Sequence, residues 1–140
     1  IINDKKAGGI LIENVLRGAK WTHSVVGLGL NVKQQQFPDS LPFATSLKIA
    51  SGNDINIAQL RDTIREKIML CTVCPPSAEQ IMAQYNDLLY KRGKPQTFGN
   101  ASGKWDAMLT NVGADGTLEV QLQDGTNAFY HHGLVTWEWQ

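Results

Sequence analysis

The sequence predicts an α+β chain in three successive parts. An antiparallel strand pair from a partial mixed sheet comes first, two amphipathic helices follow, and a small five-stranded β-barrel closes the chain. Three observations carry this. Residues 8–16 and 22–32 are β-branched and apolar, as strands are. Apolar residues of the middle third step by three and four. The last third consists of short strand-like runs broken by Asp-Gly pairs, a strong hairpin signal.

Taken in order, "GGILIENVL" (8–16) and "THSVVGLGLNV" (22–32) are the first two strands. "RGAK" (17–20) between them supplies Gly18 for a positive φ, which makes a hairpin the economical connection. Residues 33–46, "KQQQFPDSLPFATS", contain Pro38 and Pro42 without a clean period and form a long loop, a kind that is often functional. Ile57, Leu60, Ile64, Ile68 and Cys71 form the stripe of a first helix. A second starts after Pro75-Pro76, with Ser77 and Gln80 in capping-box spacing. It presents Ile81, Tyr85, Leu88 and Leu89 inward and ends at Gly93. "GKP" (93–95) marks a boundary between a domain of residues 1–93 and one of 94–140. In the second, 96–100, "KWDAMLTNV", "TLEVQLQ", "NAFYHH" and "LVTWEW" make an antiparallel meander, with Trp105, Trp137 and Trp139 in its core or against the helices.

Composition narrows the function. Lys+Arg and Asp+Glu both number 13, a formal net charge of zero. No sequence-wide field for nucleic acid or an anionic membrane results. No apolar run reaches the roughly 18–20 residues of a membrane span, and no signal-peptide layout opens the chain. Two cysteines are too few for a disulfide framework, so a cytoplasmic location is the default. A chain opening on "IIND" without methionine reads as a piece of a longer protein.

The chemistry concentrates near the N-terminus. Along 25–32, Val26, Leu28, Leu30 and Val32 share one strand face; Gly27, Gly29 and Asn31 share the other. Glycines inside a strand mark either close approach of a ligand or backbone, or a bulge. A four-residue turn at 17–20 pairs Leu16 with Trp21 and Lys6 with Asn31, and a slip of one would exchange faces. On either count Lys6, Asn31 and a bare stretch of backbone around Gly8, Gly9 and Gly27–Gly29 converge. That suits an anion lying flat on a sheet with lysine as a point charge; a solvated edge lysine is the plainer alternative. Cys71 and Cys74 have metal or redox spacing but lack a second ligand pair. His131 and His132, as strand neighbours, point to opposite faces. Glu13 is a candidate base or a hydrogen-bonded strand carboxylate. No metal site is expected.

"DKKAGGILIEN", "SVVGLGLNV" and "ATSL" (44–47) after a proline-containing loop together resemble bacterial biotin–protein ligases, also called biotin–[acetyl-CoA-carboxylase] ligases. The tail closing on "HGLVTWEW" is similar to their small C-terminal barrel of the Src-homology type. The resemblance covers essentially the whole chain. It implies a truncated class II synthetase-like ligase fold and a two-step acyl transfer. Biotin and Mg·ATP give biotinyl-5'-AMP, and a lysine of a biotin carboxyl-carrier domain then attacks the mixed anhydride. Lys6 matches the family's catalytic lysine, Gly9, Leu11, Gly27 and Leu28 its biotin-lining positions, and Asn31 the asparagine at the ATP phosphates and magnesium. Residues 33–43 stand where a segment folds over the adenylate. The family's glycine- and arginine-rich biotin loop and its Lys-Trp-Pro-Asn-Asp motif have no counterpart here. The resemblance therefore implies a fragment inactive by itself, with an exposed sheet edge covered by homodimer formation or domain swapping. The competing readings are a non-catalytic interaction or dimerisation module, and a metal or redox site at Cys71 and Cys74.

Overall fold

The computed structural model describes residues 1–131 and 133–138. The expectations for His132 and Trp139 lie outside the described residues. The chain forms two compact units, Ile1–Met69 and Leu70–Gln140. This division falls inside the helix over Ile57–Val73.

The first unit begins with a tight reversal. Ile2 and Lys5 exchange both backbone hydrogen bonds, 2.8 and 3.0 Å, around Asn3 and Asp4 at φ 49° and 58°. Paired positive φ values define the turn type that asparagine and aspartate tolerate best. Strands β1 (Gly8–Arg17) and β2 (Lys20–Leu30) form an antiparallel hairpin. Its turn is shorter than expected: Arg17 pairs with Lys20, and Gly18 at φ 61° makes the corner. Leu16 opposes Trp21 as read from the sequence. The ladder then slips between Val15 and Leu16, so that Val15 opposes His23 and Thr22 is the extra residue of a bulge. Thr22 Oγ1 donates to the Val15 carbonyl at 2.9 Å and seals it.

A short helix that the periodicity did not reveal, α1 (Leu47–Ser51), follows the loop. Ser46 caps it and Gly52, at φ 73°, ends it. Helix α2 (Ile57–Val73) starts on Asn56, whose Oδ1 accepts from Gln59 N–H at 3.2 Å. Of its stripe, Leu60 and Ile64 are half-buried while Ile57, Ile68 and Cys71 are exposed. Leu28, Leu30 and Val32 face Ile57, Leu60 and Ile64 across an apolar cleft of about 430 Å³.

The second unit contains helix α3 (Ala78–Asp87), whose capping box is the one expected: Gln80 N–H donates to Ser77 Oγ and Ser77 N–H to Gln80 Oε1. Two expectations are corrected here. The helix ends at Asp87 instead of running to Gly93, and Leu88 is 84% exposed, with Ile81 and Tyr85 also outside. The cause is Asn86, a polar residue that takes the buried position. Its Nδ2 donates to the Met82 and Val112 carbonyls at 3.0 Å each, and its Oδ1 accepts from Val112 N–H at 2.7 Å. Gly93 instead serves a turn, at φ 70°, where its N–H donates to the Leu109 carbonyl.

Strands β3 (Pro95–Asn100), β4 (Gly103–Val112), β5 (Leu118–Leu122), β6 (Asn127–Tyr130) and β7 (Thr136–Trp137) form one antiparallel sheet in the order β6-β5-β4-β3-β7. Number and sequence positions agree with the expected meander. Among the described residues no ladder joins β6 to β7, so the sheet is open where a closed barrel was expected. Both Asp-Gly turns form: Asp115 and Asp124 accept from Thr117 and Thr126, and these bonds hold both carboxyls below the usual carboxylate range. Phe98, Ala107, Leu109 and Val120 are the core. Rings run continuously over it, Tyr130 to Trp105 at 5.6 Å, Trp105 to Phe98 at 6.5 Å and Phe98 to Trp137 at 5.8 Å between centroids.

Asn86→Ala leaves the part-buried amide and carbonyl of Val112 without their side-chain partner and should cost about 2 kcal/mol in urea unfolding of the chain. Leu88→Ala, at an exposed position, should stay within ~0.5 kcal/mol of the parent.

Candidate ligand face

The bulge at Thr22 decides which residues share a face. By simple counting from the turn, Lys6 would oppose Asn31. The extra residue shifts the ladder, so that Gly8 opposes Leu30, Gly9 opposes Gly29 and Leu11 opposes Gly27. Beyond the ladder Asn31 N–H donates to the Ala7 carbonyl at 2.7 Å. The expected Lys6–Asn31 pairing is therefore corrected by one residue. Directly opposed residues of an antiparallel pair share a face. Gly9, Leu11, Gly27 and Gly29 consequently lie together. Leu28 lies on the other side, opposite Ile10, where it borders the cleft with α2.

Lys6 joins the glycine face by its side chain. A β-carbon placed on Gly9 would meet Lys6 Cε at 3.8 Å, so the lysine folds back over this glycine. At Gly27 and Gly29 a β-carbon would meet nothing nearer than a strand carbonyl at 4.0 Å. The face thus presents one ammonium group, the half-open side chain of Leu11 (64% exposed) and a shelf of uncovered backbone.

The backbone of Lys6 is fixed from outside the hairpin. Lys6 N–H donates to the Phe43 carbonyl at 2.7 Å and Thr45 N–H donates to the Lys6 carbonyl at 3.0 Å, a parallel bridge centred on Ala44. Thr45 also accepts, through its carbonyl, from Asn31 Nδ2 at 3.1 Å. Residues 43–45 therefore tie the lysine and the asparagine into one frame. With Nδ2 committed, Asn31 Oδ1 is the atom left to a ligand or a hard cation. Beyond the loop, Lys48 Nζ contacts Asp54 at 3.0 Å. This bond, its charge and the more distant charge of Lys33 hold the Asp54 carboxyl below its ordinary value.

Thr45 and Ser46 are the site residues that spacing did not single out. They are buried polar residues, 3% and 0% exposed. Their signal in the sequence was a Thr-Ser pair after a proline-containing loop, adjoining a helix start. Glu13 shares the glycine face by register and is exposed. Cys71 and Cys74 are free and exposed. His131 contacts Thr117 Oγ1 through Nδ1. Among the described residues no three His, Cys, Asp or Glu side chains converge as a metal-binding group, and no helix is long and apolar enough to cross a membrane.

The fold that carries this face resembles solved structures of ligases. The structure matches the biotin protein ligase of Aquifex aeolicus in complex with biotin and ATP, with a TM-score of 0.71, 20% identity and 98% of this chain covered. It matches the apo form of an Aquifex aeolicus biotin protein ligase with a TM-score of 0.72 over 99% of this chain. The chain spans 57% and 61% of those two proteins. In sequence it is 40% identical over 74 residues to the bifunctional ligase/repressor BirA of Bacillus spizizenii, and 39% identical to that of Bacillus subtilis. Each of these alignments takes in 51% of this chain and 22% of the relative. No family model matches the chain. In sequence and in fold, the chain is similar to the C-terminal region of biotin protein ligases.

Gly8 and Gly29 give a direct check of this geometry. A β-carbon on Gly8 would lie 2.5 Å from the Gly29 carbonyl oxygen, so Gly8→Ala should force the strands apart at a cost of about 1–3 kcal/mol. Gly29→Ala meets open space and should leave the melting temperature unchanged or slightly raised. Thermal unfolding of the two variants checks both.

Proposed function

We propose that this chain is the C-terminal part of a biotin protein ligase. The whole enzyme would activate biotin with ATP to biotinyl-5'-AMP and pass the biotinyl group to a lysine of a biotin carboxyl-carrier domain. The observation that carries the reading is Lys6 folded over Gly9 on a face floored by Gly27 and Gly29. In this role Lys6 holds the biotin carboxylate and the α-phosphate, whose oxygens gain negative charge as the mixed anhydride forms. Fixing its backbone at Phe43 and Thr45 preorganises that charge, which is how such groups become effective. Gly9, Leu11 and Gly27 bound the biotin, and Leu28 supports them from behind through its strand. Asn31 Oδ1 is an oxygen donor that suits a magnesium ion entering with the ATP phosphates. Such an ion would offset charge on the pyrophosphate that leaves. The loop 33–43 covers the adenylate against water.

In this reading residues 1–93 belong to the catalytic domain and 94–140 to a small C-terminal β-sheet domain, in a cytoplasmic enzyme. The relatives' greater length supports a fragment lacking part of the biotin pocket and inactive by itself. Ile10, Ile12 and Val26 are 58–68% exposed in a two-stranded ribbon, which supports cover by the rest of the enzyme, a second copy or a swapped strand. The same exposure favours the second reading, a non-catalytic interaction module.

Lys6→Ala in the full-length ligase decides between them. The ligase reading expects biotin-dependent ATP–pyrophosphate exchange to fall roughly 100- to 1000-fold. Unchanged exchange would assign the chain to the interaction module. A calorimetric titration of the 140-residue chain with a non-hydrolysable biotinyl-AMP analogue should show no saturable heat. Binding abolished by Lys6→Ala would mean instead that the fragment keeps a working half-site.

A further inference from the structure

The loop 33–43 has one anchor at each end, and the two differ in kind. Its far end is held by main chain: Lys6 N–H on the Phe43 carbonyl, followed by Thr45 N–H on the Lys6 carbonyl. Its near end leaves β2 along the start of α1. There Leu47 N–H donates to the Asn31 carbonyl and Lys48 N–H to the Val32 carbonyl, both at 2.9 Å. Ordinarily the first N–H groups of a helix are without partners; here the strand exit uses two of them. Two residues further on, the Gln34 carbonyl has no helix amide to meet. It is held by the Ser46 hydroxyl, which donates to it at 2.5 Å and accepts from Ile49 N–H at 3.1 Å. Ser46 is fully buried, so water does not replace either bond.

We propose that Ser46 is a positioning residue for the loop. Its hydroxyl fixes Gln34 as the point from which residues 35–42 move, while its role as the α1 cap keeps that hydroxyl in place. The turn inside the loop is local, Leu41 N–H on the Pro38 carbonyl at 2.8 Å and Ala44 N–H on the Leu41 carbonyl at 3.0 Å. With the hydroxyl gone, the hinge retreats to Val32, the last main-chain anchor, and the segment free to move gains two residues at the end nearest Asn31. The catalytic meaning of such a hinge, retention of an acyl-adenylate under the loop, rests on the ligase reading. The hinge itself does not.

The experiment is tryptic cleavage and backbone amide exchange on the 140-residue chain with three substitutions. Ser46→Ala removes both the cap and the hydroxyl donor. Ser46→Asp keeps an acceptor for Ile49 N–H but has no proton to give Gln34. Ser46→Thr retains both functions. Loss of one hydrogen bond corresponds to roughly fivefold faster local opening. Tryptic cleavage after Lys33, which needs that opening, should therefore be about five times faster in Ala and Asp and at the parent rate in Thr. Ile49 should speed up in Ala alone. Equal cleavage after Lys33 in all four proteins would overturn the proposal, as would acceleration in Ala that Asp restores, since capping would then explain everything. Should Asp fail to fold, judged by melting, Ser46→Gly keeps a tolerated N-cap without the hydroxyl: faster loop cleavage there supports the proposal and the parent rate overturns it. None of these outcomes bears on Lys6, so failure here leaves the ligase reading standing.

Discussion

Both backbone groups of Lys6 are hydrogen-bonded to a segment nearly forty residues later in the chain, and the first unit is organised by that fact. Phe43 and Thr45 hold the lysine from one side, and Thr45 holds the Asn31 side chain with the same carbonyl-lined edge. A hairpin without a third strand has little else to define its open end. The clamp sets where the lysine side chain starts, which fixes its reach over Gly9. It also sets where the loop ends.

The glycine face is a compromise between stability and access. Side chains at positions 9, 27 and 29 would add strand propensity and cross-strand contacts, and there is space for them at 27 and 29. Their absence leaves backbone open to a flat ligand. The bulge at Thr22 makes the compromise work, because it sets Gly9 opposite Gly29; without it Gly9 would oppose Leu28 and leave the face of Gly27 and Gly29. Gly8 has a different task. It lets the strands approach closely where the ladder ends.

The two units differ in how complete they are. Leu70–Gln140 encloses its own core, with Val120, Leu109 and Phe98 at most 2% exposed and aromatic rings laid across them. Ile1–Met69 buries little beyond Ala7, Val32, Thr45 and Ser46, and leaves most of its hairpin's aliphatic side chains open.

The sequence by itself determined the local elements. Alternation and Asp-Gly pairs located the strands of the terminal sheet, and Ser77 with Gln80 located the start of α3. Alternation also separated Gly27 and Gly29 from Leu28, and the motifs carried the likeness to biotin protein ligases before any fold was compared. These are properties of a few consecutive residues, and such residues carry them wherever they occur. The tertiary structure decided what depends on distant partners. A single bulged residue reset the hairpin register, since pairing is counted cumulatively from the turn. Asn86 displaced the apolar stripe of α3 because Val112, twenty-six residues on, offered it two backbone groups. Thr45 and Ser46, unremarkable as a pair of small polar residues, became the fastening of Lys6, Asn31 and Gln34 only once the chain had brought them together.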